Sequence, residues 1–100
     1  MNDSKVKEVK VEIQLDEETA QGVYSNLAVV NHTDSEFTLD FIFVQPQAPR
    51  AKVRSRVITS PKHLKRLILA LEENLRKYEE QFGAVDILPK GDQPQLGNYH

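Results

Sequence analysis

Apolar and polar residues alternate along two stretches of the chain. In residues 9–15 every second residue is apolar: Val9, Val11, Ile13 and Leu15. In residues 37–44 the apolar residues at odd positions are Phe37, Leu39, Phe41 and Phe43. An alternation of period two places one set of side chains on one face of a strand. Both stretches therefore predict β-strands.

Two further strands are predicted from β-branched residues and the turn sequences beside them. Residues 23–32 contain three valines and lead into a polar turn at residues 32–36. Residues 45–49 contain two prolines, which cannot donate to a strand ladder, so the strand before them ends there. Residues 51–59 then form the fourth predicted strand. Short turns favour antiparallel neighbours, which gives a four-stranded meander.

A long helix is predicted over residues 61–82. Ser60 is a favoured N-cap, Pro61 a favoured first helical residue and Gly83 a favoured terminator. Apolar residues recur every three or four positions and form one stripe, the helix stripe: Leu64, Leu67, Ile68, Leu71, Leu75, Tyr78 and Phe82. The spacing also predicts two surface ion pairs, Glu72–Arg76 and Glu73–Lys77.

These elements predict an α+β domain: a four-stranded antiparallel β-meander packed on one long C-terminal α-helix. The helix stripe is expected to cover the face that carries Phe37 to Phe43. A three-residue turn at residues 33–35 would place Leu27 opposite Phe41 and Val29 opposite Leu39, on the covered face. Residues 1–8 are expected to be a flexible arm, residues 9–83 the domain and residues 84–100 a mostly disordered tail.

One helix covers only one face of the sheet, so the other face is expected to be either exposed to solvent or an interface. Leu69 also lies off the helix stripe. A small domain with a remaining apolar face often dimerises, which predicts a homodimer. The candidate self-association residues are Tyr24, Val30, Ile42, Val44, Ile58 and Leu69.

The composition is that of an ordinary globular domain, with 39% hydrophobic and 28% charged residues. The chain has no cysteine, which excludes disulfides and thiolate chemistry. No apolar run is long enough to span a bilayer and no secretory signal is readable, so a cytoplasmic protein without a membrane partner is expected. The formal net charge of −2 does not favour nucleic-acid binding by the whole chain.

The basic residues are nevertheless segregated, since no acidic residue lies between Asp40 and Glu72. A candidate surface for an anion, a nucleic acid or an acidic partner follows: Arg50, Lys52, Arg54, Arg56, Lys62, Lys65 and Arg66. Period two would place the three cations at 52, 54 and 56 on one strand face. Two structural alternatives stay open. If the turn centres on Ala48, Arg56 lies opposite Asp40, and the cations could also pair with acidic regions of a second copy.

Catalytic chemistry is not indicated. The histidines at 32, 63 and 100 are dispersed, and no metal motif or glycine-rich phosphate loop is present. His32 could face carboxylates at 34, 36 and 40, but no nucleophile accompanies them, so a polar hairpin end is favoured. We therefore expect a protein that is not an enzyme, with no cofactor, no metal and no catalytic residue.

Several segments together resemble a family of small prokaryotic proteins, the domain-of-unknown-function family 3467. They are residues 24–26 (Tyr-Ser-Asn), 29–33, 36–41, 53–61 and 78–83. The resemblance implies one cytoplasmic domain and supplies no reaction, ligand or catalytic residue. The predicted architecture also has a looser likeness to the export chaperone SecB, which sets a four-stranded sheet against helices.

Three functions are compatible with these patterns. The first is a self-associating adaptor or protein-interaction module with an unknown protein partner. The second is an anion or nucleic-acid binder that uses the basic residues of 50–66. The third is a holdase-like chaperone that exposes the second sheet face.

Overall fold

A computed structural model describes residues 9–87 and confirms the α+β class with an antiparallel sheet and a C-terminal helix. Its elements, in chain order, are α1 (Glu17–Ala20), β1 (Leu27–His32), β2 (Phe37–Val44), β3 (Ala51–Thr59) and α2 (Pro61–Phe82). The strands form one three-stranded sheet in the order β1-β2-β3. The strand β2 is therefore central, and both of its neighbours are joined to it by short loops.

The first predicted strand is not formed, so the prediction of four strands was wrong. Residues 9–15 have no regular secondary structure, and the Ile13 side chain is 91% exposed. The helix α1 begins directly afterwards, with Asp16 accepting a hydrogen bond from the Thr19 backbone N–H at 3.1 Å. Hydrogen bonds from Thr19 lower the pKa of Asp16. A strand needs a hydrogen-bonded neighbour, which the alternation of side chains does not itself provide.

The register between β1 and β2 differs by one residue from the prediction. Val30 lies opposite Leu39, and Leu27 lies opposite Ile42. The cause is the loop, which has four residues because the Thr33 hydroxyl accepts hydrogen bonds from the backbone N–H groups of Ser35 and Glu36, each at 3.2 Å. A shift of one residue exchanges the two faces. Val30 therefore shares a face with Leu39, and Leu27 shares the opposite face with Ile42.

The register between β2 and β3 places Asp40 opposite Arg56, which confirms the predicted pairing. Further along, Phe41 lies opposite Ser55 but Ile42 lies opposite Val53, so β3 contains a β-bulge. The bulge adds one residue to β3 and reverses its alternation relative to β2. The basic positions of β3 therefore do not share one face as predicted.

The bounds of α2 agree with the prediction from its capping residues. The Ser60 hydroxyl accepts a hydrogen bond from the His63 backbone N–H at 3.2 Å. Gly83 has φ +101° and donates its N–H to the Glu79 carbonyl at 2.9 Å. A positive φ strains any residue with a Cβ, which is why the helix ends at a glycine.

One of the two predicted ion pairs on α2 is confirmed. Lys77 and Glu73 lie 3.7 Å apart. Arg76 pairs with Glu80 at 2.7 Å instead of with Glu72. Both pairs span one helical turn at the surface and contribute only tenths of a kcal/mol.

Among the described residues, extensive contact between elements is confined to β1 with β2 and β2 with β3. The buried residues are Leu39, Asp40 and Ile42, all on the central strand. No residue of α2 is buried. The expectation that the helix covers the Phe37–Phe43 face is therefore wrong for the single chain. An apolar stripe indicates that one face of a helix packs against another surface, but it does not identify that surface.

The predicted arm and tail fall mostly outside the described residues. Residues 1–8 and 88–100 lie beyond them, and residues 84–87 carry no regular secondary structure. The range 9–83 contains the sheet, α2 and the segment that precedes them, and its bounds as a domain stay a prediction.

Candidate interaction surfaces

The helix stripe is an apolar surface open to solvent. Leu71 is 60% exposed and Phe82 is 65% exposed, whereas the members near the N-terminal end of α2 are better shielded, with Leu67 at 37% and Ile68 at 46% exposed. The rings of Tyr78 and Phe82 contact each other, with centroids 5.0 Å apart. A continuous apolar stripe of this length is typical of a helix that packs against another element.

The predicted self-association residues do not form one surface. Ile42 is only 2% exposed, so it belongs to the core of the sheet. Val30 and Ile58 are half exposed but lie on opposite faces, because Val30 pairs with Leu39 whereas Ile58 pairs with Thr38. The remaining members of the set are dispersed: Tyr24 and Leu69 are exposed and Val44 is half-buried.

Three residues of the predicted basic surface, Arg50, Lys52 and Arg54, lie around Phe43. An open depression of about 320 Å³ is lined by Phe43, Gln45, Arg50, Ala51, Lys52 and Arg54. Lys52 lies directly opposite Phe43 in the sheet. The Tyr24 ring packs edge-on against the Phe43 ring, with centroids 6.0 Å apart. We call Tyr24, Phe43, Arg50, Lys52 and Arg54 the Phe43 patch.

Asn26 fixes the end of the sheet beside this patch. Its side-chain amide donates to the Val44 carbonyl at 3.0 Å and accepts from the Val44 N–H at 2.8 Å. The Asn26 backbone N–H also donates to the Ile42 carbonyl at 3.0 Å. Through these hydrogen bonds to the backbone of β2, Asn26 continues the β1–β2 pairing beyond Leu27. It also fixes the segment that contains Tyr24 beside the sheet. The hydrophobic pattern does not indicate this role of Asn26, whose only signal in the sequence is the Tyr24-Ser25-Asn26 segment of the family resemblance.

Arg56 does not belong to the Phe43 patch. Its Nε and one terminal nitrogen donate to the two carboxylate oxygens of Asp40 at 2.7 and 2.8 Å. The Asp40 side chain is 1% exposed, whereas the Arg56 side chain is 52% exposed. A bidentate arginine–carboxylate pair is geometrically specific and satisfies both oxygens of the buried acid. The structural alternative for Arg56 is thus confirmed.

The three helical cations of the predicted surface are separated from the Phe43 patch. Lys62, Lys65 and Arg66 lie exposed in the first two turns of α2, where no acidic residue accompanies them. Lys52 lies near the start of β3 and Ser60 follows its end, which places them about 26 Å apart at about 3.3 Å per residue of strand. The basic residues of 50–66 therefore form two clusters instead of one surface.

The hairpin end at residues 32–36 shows no catalytic grouping. The His32 ring packs against Phe37, with centroids 5.3 Å apart. Asp40 lies on the other face of β2, paired with Arg56. Within residues 9–87, no group of three or more metal-ligating side chains comes together, and no helix there is long and apolar enough to cross a bilayer.

Comparison with known proteins identifies a family. The sequence description of a family of proteins of unknown function, DUF3467, matches residues 1–87. No curated protein and no solved structure shows significant similarity to the chain. The matched range includes the Phe43 patch, the Asp40–Arg56 pair and the whole of α2. The chain therefore belongs to the DUF3467 family of proteins of unknown function.

Proposed function

We propose that this chain is a non-enzymatic, cytoplasmic interaction module whose fold is completed by a second copy of itself. One observation carries the proposal. Among the described residues, the buried apolar side chains are Leu39 and Ile42, whereas large apolar side chains are exposed along residues 9–15, along β3 and along α2. Two buried side chains contribute only about 3–6 kcal/mol, which does not offset the conformational entropy of an ordered domain.

The exposed apolar area is of the size that a specific interface needs. Burying one leucine side chain contributes about 1.5–3 kcal/mol, which corresponds to about 60–120 Å² of apolar area at about 25 cal/mol per Å². The half-exposed residues of the helix stripe thus offer about 200–400 Å², and the exposed residues of the sheet and of 9–15 add to it. A stable interface buries about 800 Å² per partner. A second copy brings the same surfaces and requires no other molecule.

The proposal predicts that stability depends on protein concentration. When folding requires association, raising the concentration stabilises the folded state by mass action. We expect the melting temperature, followed by circular dichroism at 222 nm, to rise by several degrees between about 1 and 100 μM. A melting temperature that stays constant over this range would show that the single chain folds alone.

The Phe43 patch supports a second candidate function, the binding of a polyanion. Single-stranded nucleic acids are bound by cations that follow the backbone and by aromatic rings on which bases stack. Tyr24 is 70% exposed beside Phe43, and three cations border the same depression. The cluster on α2 lies too far away to belong to this site.

This candidate predicts a specific salt dependence. With three contacts to a single strand, the slope of log K against log salt is about −2.1, from about −0.7 per contact. Arg54→Ala should reduce the magnitude of that slope by about 0.7, because one phosphate contact is lost. The measurement is fluorescence anisotropy with a labelled oligothymidylate at several salt concentrations.

Arg66→Ala is the matched control, since Arg66 is an exposed arginine of the other cluster. It should leave the slope unchanged if the Phe43 patch is the site. Equal effects of both variants would indicate non-specific attraction, and no binding at low salt would remove the second candidate. A monomer that instead suppresses the aggregation of an unfolded protein would favour the holdase-like chaperone.

A further inference from the structure

One face of α2 carries a symmetric apolar seam, which the remaining member of the helix stripe, Leu67, flanks. The seam consists of the members of the helix stripe at heptad spacing: Leu64, Ile68, Leu71, Leu75, Tyr78 and Phe82. The intervals between successive members are four, three, four, three and four residues, so the series reads the same from either end. Its midpoint is position 73. Alternating intervals of three and four form the heptad pattern by which two helices pack along a shared seam.

The charges of α2 are arranged against its own macrodipole. The first turn contains no acidic residue and the last turn no basic residue. Lys62, Lys65 and Arg66 lie near the N-terminus, while Glu79 and Glu80 lie near the C-terminus. Cations near a helix N-terminus and anions near a C-terminus are unfavourable by several tenths of a kcal/mol each. The arrangement therefore costs stability in the single chain.

A second, antiparallel helix removes this cost. It places its acidic C-terminal end beside the basic N-terminal end, and its macrodipole opposes that of the first helix. A parallel helix would place cations beside cations and acids beside acids. Charges that flank an apolar seam set the partner and the orientation of paired helices in this way.

We propose that two copies of this chain pair through α2 in antiparallel orientation, about a two-fold axis at position 73. Leu64 then packs against Phe82, Ile68 against Tyr78 and Leu71 against Leu75 of the second copy. The seam is self-complementary because its spacing is symmetric about the axis, as a two-fold interface requires. This inference rests on the proposed self-association and adds its interface and its orientation.

Lys65 and Glu79 provide a direct test of the orientation. They are 14 residues apart, which is two heptads, so both flank the seam on the same side of the helix. In an antiparallel pair these two sides face each other, and Lys65 of each copy lies near Glu79 of the other. Each dimer thus contains the contact twice.

The experiment is a charge-reversal cycle, with the dissociation constant of the dimer measured by sedimentation equilibrium at low salt. Lys65→Glu alone and Glu79→Lys alone should each weaken the dimer about tenfold, because two attractive contacts become repulsive. The double variant Lys65→Glu/Glu79→Lys should return to within about threefold of the original affinity, because opposite charges meet again.

A control is needed because the Glu79 carboxylate also accepts a hydrogen bond from the Val85 N–H at 2.9 Å. Glu79→Gln keeps an acceptor and removes the charge, so it should weaken the dimer by less than Glu79→Lys. A dimer whose double variant is as weak as the single variants would overturn the antiparallel seam and leave self-association standing. An original chain that is monomeric throughout would overturn both proposals.

Discussion

Replacing Arg56 with alanine is expected to lower the free energy of unfolding by about 2–3 kcal/mol. The substitution leaves the Asp40 carboxylate, which is 1% exposed, without the two hydrogen bonds that Arg56 donates. A buried carboxylate that loses two charge-assisted hydrogen bonds recovers less of its desolvation cost. The measurement is equilibrium unfolding in urea at neutral pH and at one fixed protein concentration.

Arg54→Ala is the matched control for stability. Arg54 occupies the β-bulge two residues earlier in the same strand and is exposed, and within residues 9–87 it forms no ion pair. Its removal should change the free energy of unfolding by no more than about 0.5 kcal/mol. If the two variants unfold alike, the Asp40–Arg56 pair does not stabilise the sheet.

Replacing Leu71 with aspartate is expected to raise the dissociation constant of the dimer at least 100-fold. Leu71 lies next to the centre of the seam, and each dimer contains two copies of it. Losing about 1.5–3 kcal/mol of apolar burial twice corresponds to a factor of at least about 100, before the cost of burying the new charges is added. Sedimentation velocity over a range of concentrations measures the change.

Leu69→Asp is the control for this variant. Leu69 is also 60% exposed, but it lies two positions away and therefore on the opposite side of the helix. It introduces the same charge into the same helix outside the seam. Dissociation by Leu69→Asp to the same extent would place the interface on another face of α2.

The bounds of an element can be predicted from the sequence when residues at its ends determine where it begins and stops. The bounds of α2 follow from a serine cap, a proline and a terminal glycine, and all three act within one turn of the backbone. The bounds of β3 follow from the prolines before it and the serine cap after it. The pairing of Asp40 with Arg56 agrees with the predicted alternative, but it depends on the bulge. Beside the turn Val44 lies opposite Ala51, and the extra residue in β3 then shifts the register by one.

The remaining differences arise from contacts that the sequence pattern does not contain. The β1–β2 register depends on the hydroxyl of Thr33, which accepts two hydrogen bonds and lengthens the loop. The bulge at Arg54 separates cations that a regular alternation would place together. The alternation in residues 9–15 and the stripe on α2 identify apolar faces, yet neither identifies the surface that covers them.

Sedimentation equilibrium of the full chain tests the central claim, that a second copy covers the exposed seam of α2. We expect a mass of twice the chain mass of 11.4 kDa at concentrations of about 10–100 μM, and a mass of 11.4 kDa for the Leu71→Asp variant under the same conditions. A mass of 11.4 kDa for the original chain at the highest concentration would contradict the claim.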